Sequence, residues 1–169
     1  MQILLIILVV ILLIFGITAI TGAPYVPSKK KDLEKAFSEL YKMTSKDTLV
    51  DLGVGDGCVS KIANSFGAKT FGIEINPILF IIAKIRLNGK KNKVVLGSYY
   101  HVDFPKDTTV VYTFGDSRDI KKMYQLVQKQ ATKLGKTLYF ISYVFAVPNQ
   151  KPVKKVKMHY LYKVEAKND

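Results

Sequence analysis

Seven consecutive residues, Asp51-Leu52-Gly53-Val54-Gly55-Asp56-Gly57, put two carboxylates and three glycines into one short stretch. Glycines at such spacing let a backbone turn tightly and approach a ligand closely. Thr48–Leu52, just before, reads as a buried strand, and Cys58–Phe66, just after, reads as a helix closed by Gly67. A helix that begins at such a loop offers unpaired N–H groups and positive potential to a carboxylate or phosphate. A third acid, Glu74, closes the next apolar run, Thr70–Ile75. In a strand–loop–helix–strand unit an acid at that place accepts hydrogen bonds from the hydroxyls of a ribose.

Two ligands compete for this arrangement. A dinucleotide site wants G-x-G-x-x-G. Here the pattern is G-x-G-x-G, and Cys58-Val59-Ser60 supply no later glycine. Asp51 and Asp56 would repel a pyrophosphate, whereas they suit a ligand carrying an ammonium group. S-adenosylmethionine (SAM) has that ammonium, a cationic sulfonium and a ribose. The charge pattern therefore points to SAM rather than to a nicotinamide dinucleotide. A purely structural Gly-rich turn is the third reading. No residue cluster with metal-ligand spacing is visible, and the single cysteine, Cys58, excludes both an internal disulfide and a Cys-based metal site. Cys58 lies where a helix N-terminus would favour its thiolate, yet it reads as a packing residue.

The elements that must hold these groups alternate in type. Leu33, Ala36, Phe37, Leu40 and Tyr41 form one apolar stripe on a helix running from a Ser28 cap to about Met43. After the two strands already named, Asn76-Pro77 starts a helix that ends at Asn88-Gly89. A third strand begins at Val94, a fourth covers Thr109–Phe114, and a helix from Ile120 stops at Gly135. A long apolar strand, Thr137–Val147, follows, and Val156–Val164 alternates as a half-exposed strand. Strands alternating with helices imply an α/β fold, a parallel Rossmann-like sheet covered on both faces. Only one convincing strand is legible after Val147, so the sheet is expected to be trimmed at its C-terminal strands.

The chain has 169 residues, room for one domain and an appendage. The appendage is the start. Gln2–Ile20 carries no charge, and Ile3–Phe15 consists of Leu, Ile, Val and Phe alone. As a helix that stretch reaches about 28 Å, close to the thickness of a bilayer core. A cleaved signal peptide would want a basic residue before the run and a clear cleavage site, and neither is present. A buried core helix would want a polar face. Residues 1–22 are thus expected to be a transmembrane anchor, 23–47 a linker and amphipathic pre-domain helix, and 48–169 the ligand-binding domain. Lys29, Lys30 and Lys31 place the domain on the cytoplasmic side. The net charge of +13 suits anionic lipid, nucleic acid or an acidic protein, or else reflects general lysine usage.

Asp-Leu-Gly-x-Gly-Asp-Gly with Gly72-Ile73-Glu74-Ile75-Asn76-Pro77 resembles the class I SAM-dependent methyltransferases. The N-terminal apolar segment, Pro24–Ser28, the short amphipathic helix and the Pro148–Pro152 loop resemble more narrowly the membrane-anchored lysine methyltransferases, the group that includes the enzyme acting on the c-ring protein of ATP synthase. The resemblance implies that Asp51, Gly53, Gly55 and Asp56 hold the methionine end of SAM, that Glu74 holds the ribose, and that Asn76 supports the adenosyl part. Where such proteins carry an acid near the adenine, this chain has Ser98, with Tyr99 or Tyr100 available for stacking.

Methyl transfer from a sulfonium is an in-line displacement that needs alignment and exclusion of water, not a triad or a metal. A lysine acceptor must also lose a proton, which at pH 7 costs roughly 4–5 kcal/mol from its ordinary pKa. The tip of the fourth strand should face the methyl group. Thr113 and Asp116 are the candidates there, Asp116 to position the amine, with a helix cap as its competing role. His101 is a weaker candidate base. A membrane-protein lysine is the expected acceptor, and a lipid or quinone-like molecule the next. Two other functions stay open. One is a SAM-fold binding or assembly factor without catalysis. The other is a nucleic-acid methyltransferase, although Thr113-Phe114-Gly115-Asp116 lacks the Asn/Asp-Pro-Pro-aromatic tip expected for base amino groups.

Overall fold

A run such as Thr48–Leu52, buried at every position, can form only a central strand. In the computed structural model it is β1, and six more strands join it. These are β2 (Lys69–Glu74), β3 (Asn92–Leu96), β4 (Val110–Thr113), β5 (Leu138–Tyr143), β6 (Lys154–Val156) and β7 (His159–Val164). The structure describes residues 2–21 and 30–167; within 2–21, side chains are described for 2–9, 12 and 16. The helices are α1 (Gln2–Thr21), α2 (Lys30–Lys35), α3 (Cys58–Ser65), α4 (Pro77–Arg86) and α5 (Ile120–Leu134).

The sheet order is β3-β2-β1-β4-β5-β7-β6. β1 to β5 run parallel, and β7 pairs antiparallel with β5 and with β6. The expected trimming is therefore corrected: all seven strands are present. Val156–Val164, expected to be one strand, is split by a two-residue hairpin at Lys157-Met158, where Lys157 takes φ +55. No Gly or Asn marks that turn, so the sequence hides it. The long strand expected over Thr137–Val147 is likewise shorter. It ends at Tyr143 because Val144 turns to φ +70 and the Phe145 N–H bonds back to the Tyr143 carbonyl at 3.0 Å.

Two layers cover the sheet. Leu33, Phe37 and Leu40 pack with Val59 and Ile62 of α3 on one face, against Leu49, Tyr112 and Ile141. Ile120, Met123 and Val127 of α5 cover the opposite face, against Val50, Val111 and Phe140. Val95 of β3 joins the α5 side, whereas its neighbour Val94 packs with Ala83 and Leu87 of α4. Side chains alternate along a strand, so α4 shares the face of α2 and α3.

The helix expected to run on to about Met43 is α-helical only to Lys35. It then widens into a π-turn at Ala36–Leu40, closed by Tyr41 N–H to the Ala36 carbonyl at 3.1 Å. Its cap at Ser28, together with Pro24, Pro27 and Lys29, lies outside the described residues. Among residues with described side chains, no helix is long and apolar enough to cross a membrane.

Candidate functional site

Parallel strands bring their C-terminal ends to one edge of the sheet, and that edge is where loops can meet a ligand. Asp51, Glu74, Ser98, Thr113 and Asp116 all belong to it, at or just beyond the ends of β1, β2, β3 and β4. The structure thus brings together residues that the sequence spreads over more than sixty positions.

The β1–α3 loop folds over the end of β2. Gly53 and Val54 both donate their N–H to the Ile73 carbonyl, at 2.9 and 3.0 Å. Val54 packs so closely on β2 that a Cβ at Gly72 would stand 2.8 Å from the Val54 Cβ. Gly72 is therefore required by packing, not by a turn. Gly53, Gly55 and Gly57 take φ values of +79, +57 and +85, a left-handed path that side chains disfavour. This path aims the Gly55 N–H at Glu74.

Glu74 is only 6% exposed. Its Oε2 accepts from the Gly55 N–H at 2.9 Å, and its Oε1 accepts from the Asn76 N–H at 2.8 Å. Each carboxylate oxygen has a second lone-pair direction left for a hydroxyl. Asn76 is buried as the N-cap of α4, its Oδ1 accepting from Ile78 and Leu79 N–H at 2.9 and 3.3 Å. Pro77 at the first helical position completes the start that the sequence indicates.

The two loop acids differ. Asp56 is neutralised: Arg86 of α4 pairs with its Oδ2, and the Cys58 N–H donates to its Oδ1 at 3.1 Å. Asp51 is 2% exposed, and its side chain accepts from Ser60 Oγ at 3.2 Å. Among the described residues no cation pairs with it. Burial, aided by the nearby Glu74 and Asp56 charges, pushes its pKa up to about 7, against the pull of Ser60. A buried carboxylate in that state has an energetic demand for a positive partner. Cys58 has the opposite character to the one a helix N-terminus would give it. Burial and Asp56 hold its thiol above the ordinary range, and it packs beside α2 and α3.

At the next tips the picture is mixed. Ser98 caps a 3-10 turn, Tyr99–His101, accepting from the Tyr100 N–H at 3.4 Å. Tyr99 packs on the core, which leaves Tyr100, 42% exposed, as the ring free for stacking. Thr113 is buried, with its hydroxyl 3.4 Å from both the Leu52 carbonyl and Met123 Sδ. Asp116 is held by Arg118 through its Nε at 2.9 Å and backbone N–H at 2.6 Å, which keeps the carboxyl below its usual range. The Asp116 carbonyl also opens the turn into α5. His101 is exposed and lies in a groove beside Lys122 and Lys129 of α5.

Ser60, Arg86 and Arg118 are the partners that sequence reasoning missed. Ser60, at the third position of α3, carried a signal, since it stands one helical turn beyond the loop. The arginines carried none, because Arg86 reaches across thirty residues.

The residues present fit a ligand with an ammonium group and a ribose. Comparisons with known proteins agree. The chain is 32% identical over 99 residues to a lysine N-methyltransferase of Caenorhabditis elegans that is named for the c-ring protein of ATP synthase; the match covers 53% of this chain and 52% of that protein. The chain thus spans about half the length of this curated relative. An RNA methyltransferase from Salinibacter ruber, solved with S-adenosyl-L-homocysteine, superposes with a TM-score of 0.76 at 23% identity, over 85% of this chain and 97% of that one. A dimethyladenosine transferase from Plasmodium falciparum gives 0.58 at 17% identity, over 70% of this chain and 43% of that one. No family model matches. The chain has the fold of class I SAM-dependent methyltransferases, and its sequence is similar to that of a protein lysine methyltransferase.

Proposed function

We propose that this protein is a SAM-dependent methyltransferase, anchored in a membrane by residues 1–22, whose acceptor is a lysine of a membrane protein. The observation that carries the reading is Asp51, a buried carboxylate without a cation, beside a Glu74 already fixed to the glycine loop. Together they match the ammonium and the ribose of one molecule.

SAM, when bound, supplies an activated methyl group on a cationic sulfur. The protein's work is binding and alignment. Asp51 takes the ionised form when an ammonium compensates its charge. Glu74 grips the ribose hydroxyls and, through Gly55, keeps the loop closed on the end of β2. Asn76 and Ser98 support the adenosyl part, with Tyr100 as the stacking ring. Gly53, Gly55 and Asp56 shape the loop, Asp56 through its tie to Arg86. At the β4 tip, Thr113 and Asp116 meet the acceptor. Asp116 orients the incoming ammonium and accepts its proton as the amine turns nucleophilic.

The lysine acceptor is supported by the similarity to a lysine N-methyltransferase whose name gives a component of ATP synthase, a membrane protein, as its target. The anchor is supported by sequence and by local structure. Gln2–Thr21 is helical over 20 residues, about 30 Å, and carries no charged side chain. Residues 23–47 then form the linker and pre-domain helix, and 48–169 the domain, on the cytoplasmic side.

One observation favours a second reading, a SAM-binding assembly factor: Asp116 is held by Arg118 rather than poised for an amine. Incubation of the full chain with tritiated SAM and membrane extracts separates the two. Transfer to a protein band, lost in Glu74→Gln, supports the methyltransferase. SAM binding in calorimetry without transfer to any component supports the factor. Absence of SAM binding sinks both.

A further inference from the structure

Helix α4 has the sequence Pro-Ile-Leu-Phe-Ile-Ile-Ala-Lys-Ile-Arg, yet Ala83 is its one buried residue. Ile78, Ile81, Ile82 and Ile85 recur at i, i+3, i+4 and i+7, which places them on a single face. That face points outward: Ile81 is 55% exposed, Ile82 37% and Ile85 71%. Ile75 and Leu96, at the adjoining tips of β2 and β3, are 47% and 53% exposed. An apolar stripe of this length on a soluble surface marks a contact. It also lies at a sheet edge, since β3 has β2 as its only neighbour.

The charge around the stripe says what the contact is. From Ile75 to Val102 there is no Asp or Glu, while Lys84, Arg86, Lys90, Lys91 and Lys93 lie on α4 and the turn after it. Isoleucines on one side of a helix with lysines flanking them fit an anionic lipid surface. The stripe lies on the outside of a single helix, and a fluid bilayer can follow such a surface without shape complementarity. The linker sets the distance. Residues 22–29 can span at most about 28 Å, so the domain of an anchored chain cannot leave the bilayer's neighbourhood.

We propose that α4 is a second membrane contact, lying in the headgroup region of an anionic bilayer with Ile81, Ile82 and Ile85 immersed. The contact begins one turn from Asn76 and Glu74, so docking fixes the height of the ligand-binding edge above the membrane. The inference rests on the membrane part of the proposed function for the nearness of the bilayer, and is independent of methyl transfer.

The chain has no tryptophan, so Ile85→Trp places a single reporter on the stripe. The full chain carrying it is reconstituted in phosphatidylcholine vesicles, with and without phosphatidylserine, and with brominated acyl chains as quencher. Lys155→Trp on β6, at the opposite sheet edge, is the control. The expected result is emission from Ile85→Trp falling by roughly half with brominated lipid, more so with phosphatidylserine and less in 1 M salt. The control stays unquenched. Flotation after a carbonate wash reads the anchor separately. A chain that floats while Ile85→Trp is unquenched overturns the α4 contact and leaves the anchor standing. Quenching without carbonate-resistant flotation overturns the anchor alone, and loss of both overturns both. A blue-shifted reporter that ignores brominated lipid and reverts on dilution means that a second copy covers the stripe, which also overturns the proposal.

Discussion

The Glu74 carboxylate and the Gly55 N–H meet at 2.9 Å across nineteen residues, tying the tip of β2 to the glycine loop of β1. The same carboxylate holds the Asn76 N–H at 2.8 Å, so one side chain fixes both the loop and the start of α4. Glu74→Gln turns an NH2 toward one of these two donors and removes the charge. SAM affinity should fall by roughly 10–100-fold, about 1.5–3 kcal/mol, with the circular dichroism spectrum unchanged. A calorimetric Kd within twofold of the parent would remove Glu74 from the site.

Asp51 and His159 make opposite contributions to stability as pH changes. Asp51 is raised from 3.8 to about 7 by burial, so the folded chain keeps a proton there that the unfolded chain has lost. This contribution makes stability fall as pH rises from about 4 to 7. His159 is fully buried, stacked on Tyr143 and 3.2 Å from the Tyr112 hydroxyl. Burial lowers it from 6.5 to about 4, against the pull of Asp32, so the unfolded chain takes up a proton first. Its contribution is present above pH 6.5 and is lost as pH falls toward 4. The two slopes oppose each other over the shared window. Relative to the parent, Asp51→Asn should therefore gain stability as pH rises from 4 to 7, and His159→Phe as pH falls from 6.5 to 4. Urea titrations at four pH values read both differences, and parallel curves would refute the assignment.

Proton release is the binding counterpart of the same burial. A ligand ammonium favours ionised Asp51, so at pH 6.5 SAM should bind with release of a fraction of a proton. Calorimetry in buffers of different ionisation enthalpy measures it. Asp51→Asn should abolish the release and weaken binding by at least about tenfold. Buffer-independent heats in the parent would contradict this.

Gly72→Ala should cost about 1–3 kcal/mol, because its Cβ meets Val54 at 2.8 Å. Pairing it with Val54→Ala should recover part of the loss, since the two sites share one clash. Thermal melts of the four proteins of this cycle give the coupling. Strict additivity would mean that the loop does not lie on β2 as described.

Asp116→Asn should slow methyl transfer by roughly 10–100-fold while leaving the SAM Kd within about twofold. Single-turnover transfer and calorimetry separate the two. Unchanged transfer would reduce Asp116 to its tie with Arg118 and its place at the start of α5.

Much of the fold was legible because local signals agreed. Thr48–Leu52 is uniformly buried although it contains Asp51, Asn76-Pro77 marks a helix start, and Gly135 at φ +63 ends α5 where the periodicity stops. What stayed hidden depended on conformations that the residue type does not advertise. Val144 and Lys157 adopt positive φ without being Gly or Asn, so the end of β5 and the β6–β7 hairpin left no mark. In the site, the acids could be read from the sequence but not their states. Asp51 and Asp56 look equivalent five residues apart, and only the arrival of Arg86 from α4 makes one neutralised and the other unpaired. The outward stripe of α4 was hidden for a related reason: an apolar run reads the same whether it faces the core or the solvent.

The last strands of the chain close upon its earliest globular segment. Lys154 Nζ donates to the Glu39 carbonyl at 2.6 Å, and Leu161 and Tyr143 complete the pocket that receives Leu33 and Phe37. A ribosome delivers these partners more than a hundred residues apart. The apolar side of α2 must wait, unsatisfied, until β7 emerges. Trimming the final dozen residues would therefore leave a nascent chain with sticky surface at both ends, a substrate for chaperones rather than a smaller working domain.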